Sequence, residues 1–246
     1  MAYAVVTREV DAESPYRSAL APLGLEVIAM PVTRTEPPRD AGALGRALES
    51  GGFGAIVVAS PRAAAALAAA RGHHELPEVW AVGPATQRAL AAAGIASLQP
   101  AGAHDGTSLA QAMIASRDVA GLRVLFPRAE DGREDAMSIL RAASAEIVDV
   151  VAYRTVPTAA DDPAIARGRE LLEAGHAAVC LVFAPSQASA LDAAVGPLGK
   201  LVTTFAAIGD TTGAVLREAG VACVVVAAMP TPEGVAQAIS SVYPPR

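Results

Sequence analysis

Residues 57–67 read VVASPRAAAAL, and residues 181–191 read LVFAPSQASAL. Each stretch opens with an apolar run typical of a buried strand, reaches a proline, and continues in an alanine-rich helical pattern. Proline suits the first position of a helix, because the N–H that it lacks would have no partner there. The two stretches therefore predict two strand-to-helix corners of the same kind, in two related α/β units.

The likeness between the two halves extends over most of the chain. Val6-Thr7-Arg8 recurs as Phe126-Pro127-Arg128, and Arg34-Thr35 recurs as Arg154-Thr155, both at an offset of 120 residues. Ordered blocks of this kind indicate an internal duplication with a cleft between two related lobes. The repeat alone would divide the chain near residue 120.

The fold class follows from the apolar runs, which show no polar alternation and therefore predict strands buried on both faces. Between most of these strands lie segments of helical spacing, so we predict an α/β architecture with doubly wound parallel sheets. The predicted strands are 4–6, 25–30, 55–59, 79–82, 95–98, 123–126, 147–152, 178–183, 205–208 and 221–226. The clearest predicted helices are 61–71, 84–93, 133–143 and 211–219. Polar loops at 33–40 and 155–163 are the candidate connectors between the lobes.

Composition narrows the function classes. The chain has 246 residues, 52% of them hydrophobic, and a net charge of −6 from 19 Lys+Arg against 25 Asp+Glu. It has no basic cluster of the kind that nucleic-acid binding needs, and no apolar run approaches the ~20 residues of a membrane span. Cys180 and Cys223 lie in apolar runs, which predicts two buried, reduced thiols in a cytoplasmic protein. Without CxxC or HExxH motifs, we predict no metal site.

Two further strand-to-helix corners are candidate anion-binding sites. Val82-Gly83-Pro84-Ala85-Thr86 and Ile208-Gly209-Asp210-Thr211-Thr212 each place a glycine between a strand and a helix start. Glycine permits a tight turn, and the first helical turn offers free N–H groups and a positive dipole end. Gly83, Thr86, Gly209, Thr211 and Thr212 are therefore predicted to bind a carboxylate or phosphate. The alternative is ordinary helix capping by Asp210 or Thr211.

Other polar residues stand at the same kind of position. Ser60-Pro61-Arg62 and Ala184-Pro185-Ser186 follow strands, and parallel sheets bind ligands at the carboxyl ends of their strands. Arg8 and Arg128 occupy matching places in the repeat, and arginine pairs well with carboxylates. Helix starts and solvated arginines without a ligand are the open alternatives.

Tyr153 follows the predicted strand 147–152 and precedes a candidate connector. A phenol at that position could donate a proton or hydrogen bond to a leaving hydroxyl, or could simply pack. No known nucleophile motif is present. The residues by themselves thus predict a two-lobed binder of an anionic small molecule.

The motifs together resemble the uroporphyrinogen-III synthase family over residues 5–239, and their order and spacing carry the resemblance. They include Val58-Ala59-Ser60-Pro61-Arg62-Ala63, Ala81-Val82-Gly83-Pro84-Ala85-Thr86, Val150-Val151-Ala152-Tyr153-Arg154-Thr155 and Ala206-Ala207-Ile208-Gly209-Asp210-Thr211-Thr212. The resemblance implies two flavodoxin-like domains joined by a two-stranded connector, with the active site in the cleft. It implies one domain of residues 1–34 and 156–246, a second of 38–152, and connectors at 35–37 and 153–155.

The implied reaction is the closure of hydroxymethylbilane, a linear tetrapyrrole with eight carboxylates, into uroporphyrinogen III. Water is lost from the first ring, and the last ring is inverted through a spiro intermediate. The resemblance implies that Tyr153 assists the leaving hydroxyl and that no cofactor or metal is needed. We expect a cytoplasmic monomer without nucleic-acid or membrane partners. Many family members have hydroxyl residues where this chain has Ala59 and Ala184, so a contact is lost there or moved to Ser60 or Ser186.

Two rival functions remain open at this point. One is a non-catalytic two-lobed binder or sensor of an anionic small molecule. The other is a phosphate-ester enzyme using the same helix starts, although Asp210 stands without the acidic cluster that such an enzyme needs.

Overall fold

The computed structural model describes residues 2–243, which divide into two compact units. One unit comprises Met1–Arg34 and Val156–Arg246, and the other comprises Thr35–Thr155. The strands of the described residues are, in chain order, β1 (Ala2–Val6), β2 (Leu25–Ala29), β3 (Thr33–Glu36), β4 (Ala55–Val58), β5 (Glu78–Ala81), β6 (Arg123–Ala129), β7 (Glu146–Pro157), β8 (Ala177–Val182), β9 (Thr204–Ala207) and β10 (Val224–Val226). The α-helices are α1 (Pro15–Leu20), α2 (Ala43–Ser50), α3 (Pro61–Arg71), α4 (Gly83–Ala92), α5 (Gly106–Ser116), α6 (Asp135–Ala142), α7 (Pro163–Glu173), α8 (Pro185–Val195), α9 (Asp210–Glu218) and α10 (Pro232–Ser240).

The first unit contains a five-stranded sheet in the order β2-β1-β8-β9-β10, and its strand pairs are parallel. Counted along this unit alone, the order is 2-1-3-4-5, which is the flavodoxin-like arrangement of a doubly wound sheet. Successive residues of β1 contribute to different cores, because Val5 packs in one hydrophobic cluster while Ala4 and Val6 pack in another. Both faces of the sheet are therefore covered, as its continuous apolar runs predict.

The second unit contains the sheet β3-β7-β6-β4-β5. Pairs β4·β5, β4·β6 and β6·β7 are parallel, and β4 again alternates between two clusters, with Ile56 and Val58 in one and Ala55 and Val57 in the other. The repeat matches β1 with β6, β2 with β7, β8 with β4 and β9 with β5. With those substitutions, the order β7-β6-β4-β5 is the order β2-β1-β8-β9 of the first unit.

The predicted α/β class with two parallel sheets is confirmed, and so is the helix at 61–71, whose ends agree with α3 at both residues. Two local predictions are wrong, and a third is wrong in part. The segment 33–40, predicted to be a polar loop, begins with β3, because a sheet edge is formed by backbone pairing and does not require apolar side chains. The pairing of β3 with β7 agrees with the two-stranded connector that the resemblance implies. Residues 95–98 make only an isolated bridge, Leu98 to Trp80, and the predicted strand 221–226 is shortened to β10.

The shortening of the last strand also corrects the prediction for one cysteine. Cys180 lies in β8 and is fully buried, as expected, whereas Cys223 precedes β10 and is exposed. A short strand at the sheet edge leaves its flanking residue in solvent, although the surrounding sequence is apolar. Both thiols are free.

Candidate functional site

Ser60 forms the corner between β4 and α3 in the second unit. It is the N-cap residue of α3, with extended backbone angles of φ −157° and ψ 156°, and Pro61 follows as the first helical residue. The Ser60 Oγ accepts a hydrogen bond from the Ala63 N–H at 3.1 Å. This contact satisfies one of the N–H groups that a helix start leaves unpaired.

The same hydroxyl meets Tyr153. The Ser60 Oγ and the Tyr153 phenol oxygen are 3.0 Å apart, and either atom can be the donor. Tyr153 lies in β7, half-buried, with its ring packed on the core that contains Val58 and Ala63. The fold thus joins two residues that are 93 positions apart in the sequence.

Ser60 and Tyr153 line a cleft of about 310 Å³ within the second unit. Its other lining groups come from the end of β6 with the following loop, and from the start of α5. They include Asp105, Gly106, Thr107, Phe126, Arg128, Gly132, Arg133 and Asp135. Of the predicted site residues, the cleft brings together Ser60, Arg128 and Tyr153. Arg62, Gly83 and Thr86 belong to the same unit but do not line this cleft.

Asp105 is a cleft residue that the sequence reasoning missed. It caps α5, accepting hydrogen bonds at Oδ1 from the Ser108 N–H at 2.8 Å and the Ser108 hydroxyl at 2.7 Å. These hydrogen bonds hold the pKa of the Asp105 carboxyl below its ordinary value, so the group is ionised. The pattern Asp105-x-x-Ser108 before an apolar helix is a capping signal from which this residue could have been found.

Arg128 is already engaged by its own unit. Its Nη2 is 2.8 Å from Asp149 Oδ2, and its Nε donates to the same oxygen at 2.9 Å. Its Nη1 donates to the carbonyls of Ala129 and Glu130, at 3.0 and 2.8 Å. The guanidinium therefore holds the loop after β6 in place beside the cleft, and most of its donors are used.

The two glycine corners differ in backbone conformation. Gly83 begins α4 with φ +73°, in the left-handed region where a side chain would be strained. Gly209 is the N-cap of α9 with extended angles of φ −175° and ψ 173°, which any residue can adopt. The tight-turn argument therefore holds at Gly83 only. Thr86 and Thr212 are buried, at 2% and 3% exposure, whereas Thr211 is exposed.

Three of these helix starts carry no side-chain cap: α4 after Val82, α8 after Ala184, and α9 after Gly209. The alternative that Asp210 or Thr211 caps α9 is thus not what the structure shows. Ser186 is exposed in the first turn of α8, and Arg62 is exposed in the first turn of α3.

Arg8 follows β1 in the first unit and is stacked on two aromatic rings. Its guanidinium carbon lies 4.6 Å from the ring centroid of Phe183 and 5.1 Å from that of Tyr16. The two rings contact each other edge to face at 5.1 Å. Burial raises the pKa of the Tyr16 phenol, and the charge of Arg8 opposes that shift.

A second network beside Arg8 also escaped sequence reasoning. The buried Thr7 hydroxyl lies 2.8 Å from the Leu181 carbonyl and 2.8 Å from Gln187 Oε1, and the Phe183 N–H donates to that same Oε1 at 3.0 Å. These bonds join the ends of β1 and β8 to the first turn of α8. No local sequence pattern predicts these hydrogen bonds, because Thr7 and Gln187 are 180 residues apart.

Neither a metal-binding cluster nor a membrane span is found in the part of the chain that the structure describes. Within residues 2–243, no three His, Cys, Asp or Glu side chains lie together as a possible metal site. No helix in that range is long and apolar enough to cross a bilayer.

Comparison with known proteins gives a family and a fold. The family model described as uroporphyrinogen-III synthase HemD matches residues 14–237. The structure is similar to that of uroporphyrinogen-III synthetase from Helicobacter pylori, with a TM-score of 0.67, 15% identity, and coverage of 98% of this chain and 100% of that one. A mutant uroporphyrinogen III synthase from the extremely thermophilic bacterium Thermus thermophilus gives a TM-score of 0.62 at 19% identity, covering 98% of each chain. Among curated proteins, no significant match was found.

Proposed function

This chain belongs to the uroporphyrinogen-III synthase family, and from that premise we propose that Tyr153 assists departure of the substrate hydroxyl. The protein is a hydroxymethylbilane-cyclising lyase of tetrapyrrole biosynthesis, and its substrate is a small molecule. It closes hydroxymethylbilane into uroporphyrinogen III with inversion of the last ring and loss of water. The family matches do not favour the alternative of a non-catalytic binder.

The observation that carries the proposal for Tyr153 is its hydroxyl at the wall of the cleft, 3.0 Å from Ser60 Oγ. A general acid must be within hydrogen-bond reach of the atom that it protonates, and a half-buried phenol that lines a cleft is accessible to a substrate bound there. In the proposed step, the Tyr153 proton passes to the departing hydroxyl oxygen as its C–O bond breaks. The pyrrole nitrogen supplies the electron pair, water leaves, and the phenolate regains a proton from the pyrrole ring system when the macrocycle closes.

The eight carboxylates of the substrate require donors, although the net charge of the protein is −6. We propose that the helix starts without side-chain caps supply them: Gly83 and Thr86 at α4, Ser186 at α8, and Gly209, Thr211 and Thr212 at α9. Their free N–H groups and positive dipole ends favour anions. Arg8, Arg62 and Arg128 add positive charge to the same two units. Arg8 is the best placed of the three, because its guanidinium is oriented by two rings.

The test is Tyr153→Phe, assayed with hydroxymethylbilane and separation of the type I and type III products. Spontaneous closure gives the type I isomer without ring inversion. Loss of a general acid lowers a rate by roughly 100-fold or more, so we expect type I to dominate with this variant. Tyr3→Phe is the matched control, because it removes a phenol in β1 of the first unit and should leave type III formation unchanged. Full type III activity in Tyr153→Phe would refute the assignment.

We also propose that the units correspond to domains, 1–34 with 156–246 and 38–152, linked through 35–37 and 153–155. Two compact units with boundaries at Arg34/Thr35 and Thr155/Val156 support this division. A fragment of residues 35–155 should fold cooperatively in urea, whereas a fragment of residues 1–120, cut where the repeat divides, should not. Cooperative unfolding of the 1–120 fragment would contradict the division.

We propose that the active protein is a monomer and that it is located in the cytoplasm. The free thiols Cys180 and Cys223 support a reducing compartment. Light scattering on the purified protein tests the oligomeric state, and a mass of twice the chain would refute the monomer.

A further inference from the structure

The Ser60 hydroxyl can accept a hydrogen bond from the start of α3 and donate one to Tyr153 at the same time. A hydroxyl has one proton and two lone pairs. One lone pair of Ser60 Oγ accepts the Ala63 N–H at 3.1 Å, and the phenol oxygen of Tyr153 lies 3.0 Å away. Once Tyr153 has given up its proton, the phenolate can only accept, so Ser60 must be the donor in that state.

An equivalent strand-to-helix corner in the first unit can be compared with the corner at Ser60. Ala184 is the repeat equivalent of Ser60, and it holds nearly the same backbone angles, φ −158° and ψ 154° against φ −157° and ψ 156°. Helices α8 and α3 that follow are both 11 residues long. The corner therefore forms without a hydroxyl, and the Ser60 side chain is not needed to build it.

The first unit also lacks an equivalent of Tyr153, the partner of Ser60. At the offset of 120 residues, Tyr153 corresponds to Thr33, which lacks the aromatic ring. The second unit has the serine at its corner and the tyrosine in β7, whereas the first unit has alanine at its corner and threonine at the position of the tyrosine. The two residues occur as a pair or not at all within this chain.

The start of α3 adds an electrostatic contribution. A helix of this length carries partial positive charge at its N-terminus, where the Ala63 N–H points to Ser60 Oγ. With Ser60 between the helix and the phenol, that charge polarises the hydroxyl toward donation to Tyr153. Negative charge that develops on the phenol oxygen is thereby stabilised.

We propose that Ser60 is a positioning residue for Tyr153, not a binder of substrate carboxylate. It directs the phenol proton into the cleft and connects the positive end of α3 to the phenolate that proton transfer leaves. This inference rests on the proposed role of Tyr153. It assigns the capped corner of the second unit to the departing hydroxyl and leaves the uncapped corners for carboxylates.

The test is a double-mutant cycle on the full chain with hydroxymethylbilane, comparing the parent, Ser60→Ala, Tyr153→Phe and the double variant. A hydrogen bond to a charged group is expected to contribute about 10- to 100-fold, so Ser60→Ala should lower kcat by that factor with KM within twofold. In the Tyr153→Phe background, the same substitution should change kcat by less than twofold. Ser60→Thr, which retains a hydroxyl and a cap, should recover most of the rate.

Ser60→Gly guards against a folding artefact, because glycine is tolerated at an N-cap and removes the hydroxyl. It should reproduce the kcat of Ser60→Ala, with both variants showing a single cooperative urea transition. If Ser60→Ala instead raises KM equally in both backgrounds, Ser60 binds substrate directly and the inference is overturned. If Tyr153→Phe is impaired but Ser60→Ala is fully active, only the role of Ser60 fails. If Tyr153→Phe is fully active, the proposed role of Tyr153 fails with it.

Discussion

Replacing Arg8 tests the proposal that this arginine of the first unit binds a substrate carboxylate. The guanidinium is exposed and lies over Phe183 and Tyr16 at 4.6 and 5.1 Å. Within residues 2–243 it forms no ion pair, so its donors are available to a carboxylate. The rings hold the side chain in one orientation, which reduces the entropy lost when a ligand binds.

The binding free energy that Arg8 contributes can be estimated from the solvent exposure of its guanidinium. A charge-assisted hydrogen bond that is shielded from water contributes about 1.5–3 kcal/mol, and a fully exposed ion pair contributes about 0.2–1 kcal/mol. A guanidinium with one face on aromatic rings falls between them, at about 1–2 kcal/mol. That corresponds to a rise in KM of about 5- to 30-fold for Arg8→Ala.

The assay is the initial rate of type III formation against hydroxymethylbilane concentration. We expect kcat to stay within twofold, because a carboxylate contact is made equally in the ground state and the transition state. Arg8→Lys keeps the charge but loses the planar stacking, so its KM should fall between those of the parent and Arg8→Ala.

Tyr16 provides a second readout that does not involve substrate. Burial raises the pKa of the Tyr16 phenol and Arg8 partly offsets this, so Arg8→Ala should raise that pKa further. Alkaline absorbance titration measures the shift, with Tyr16→Phe identifying the signal. A raised Tyr16 pKa with an unchanged KM would refute the substrate role. An unchanged Tyr16 pKa would refute the stacked geometry itself.

Three further predictions concern the thiols and the helices. A thiol reagent should modify Cys223 but not Cys180 in the folded protein, and mass spectrometry showing equal labelling would contradict their difference in burial. Burial raises the pKa of Cys180, so the unfolded chain ionises this thiol first as pH rises above about 8.5, and stability should fall by up to about 1.4 kcal/mol per pH unit. Between about pH 8.5 and 10, below the range in which the buried phenol of Tyr16 adds its own pH dependence, urea titrations should show that slope in Cys223→Ser and not in Cys180→Ala. Gly168→Ala places a Cβ 2.5 Å from Met30 Cβ and should lower the free energy of unfolding by about 1–3 kcal/mol. Gly45→Ala has open space around its new Cβ and should raise the free energy of unfolding by about 0.5–1 kcal/mol. Similar urea midpoints for the two variants would contradict this packing.

Local sequence signals predicted the corners well, because strand periodicity and an N1 proline are properties of a few neighbouring residues. The ends of α3 agree with prediction, and so does the burial of Cys180. The signal failed where an element depends on its partner. Residues 33–36 are polar, and only the backbone of β7 beside them makes them a strand. Cys223 is exposed because the apolar run around it lies at the short edge of a sheet.

The candidate site was predicted as separate residues but not as an arrangement. Ser60 and Tyr153 each stood out, yet nothing in either stretch shows that they meet at 3.0 Å. The structure also shows that Gly83 and Gly209, matched in the repeat, hold different backbone conformations. Sequence likeness between the halves thus predicts similar topology and leaves the polar contacts of each half to be determined separately.

The sheet order β2-β1-β8-β9-β10 determines when the first unit can complete its sheet during synthesis. β1 lies between β2 and β8, so its hydrogen-bonding groups on one side wait for a strand that begins at Ala177. All of Thr35–Thr155 is made in the interval. At roughly 5–20 residues per second, that wait lasts on the order of ten seconds. The sheet of the first unit can therefore be completed only after the whole of the second unit has been synthesised, although β1 and β2 are made before it.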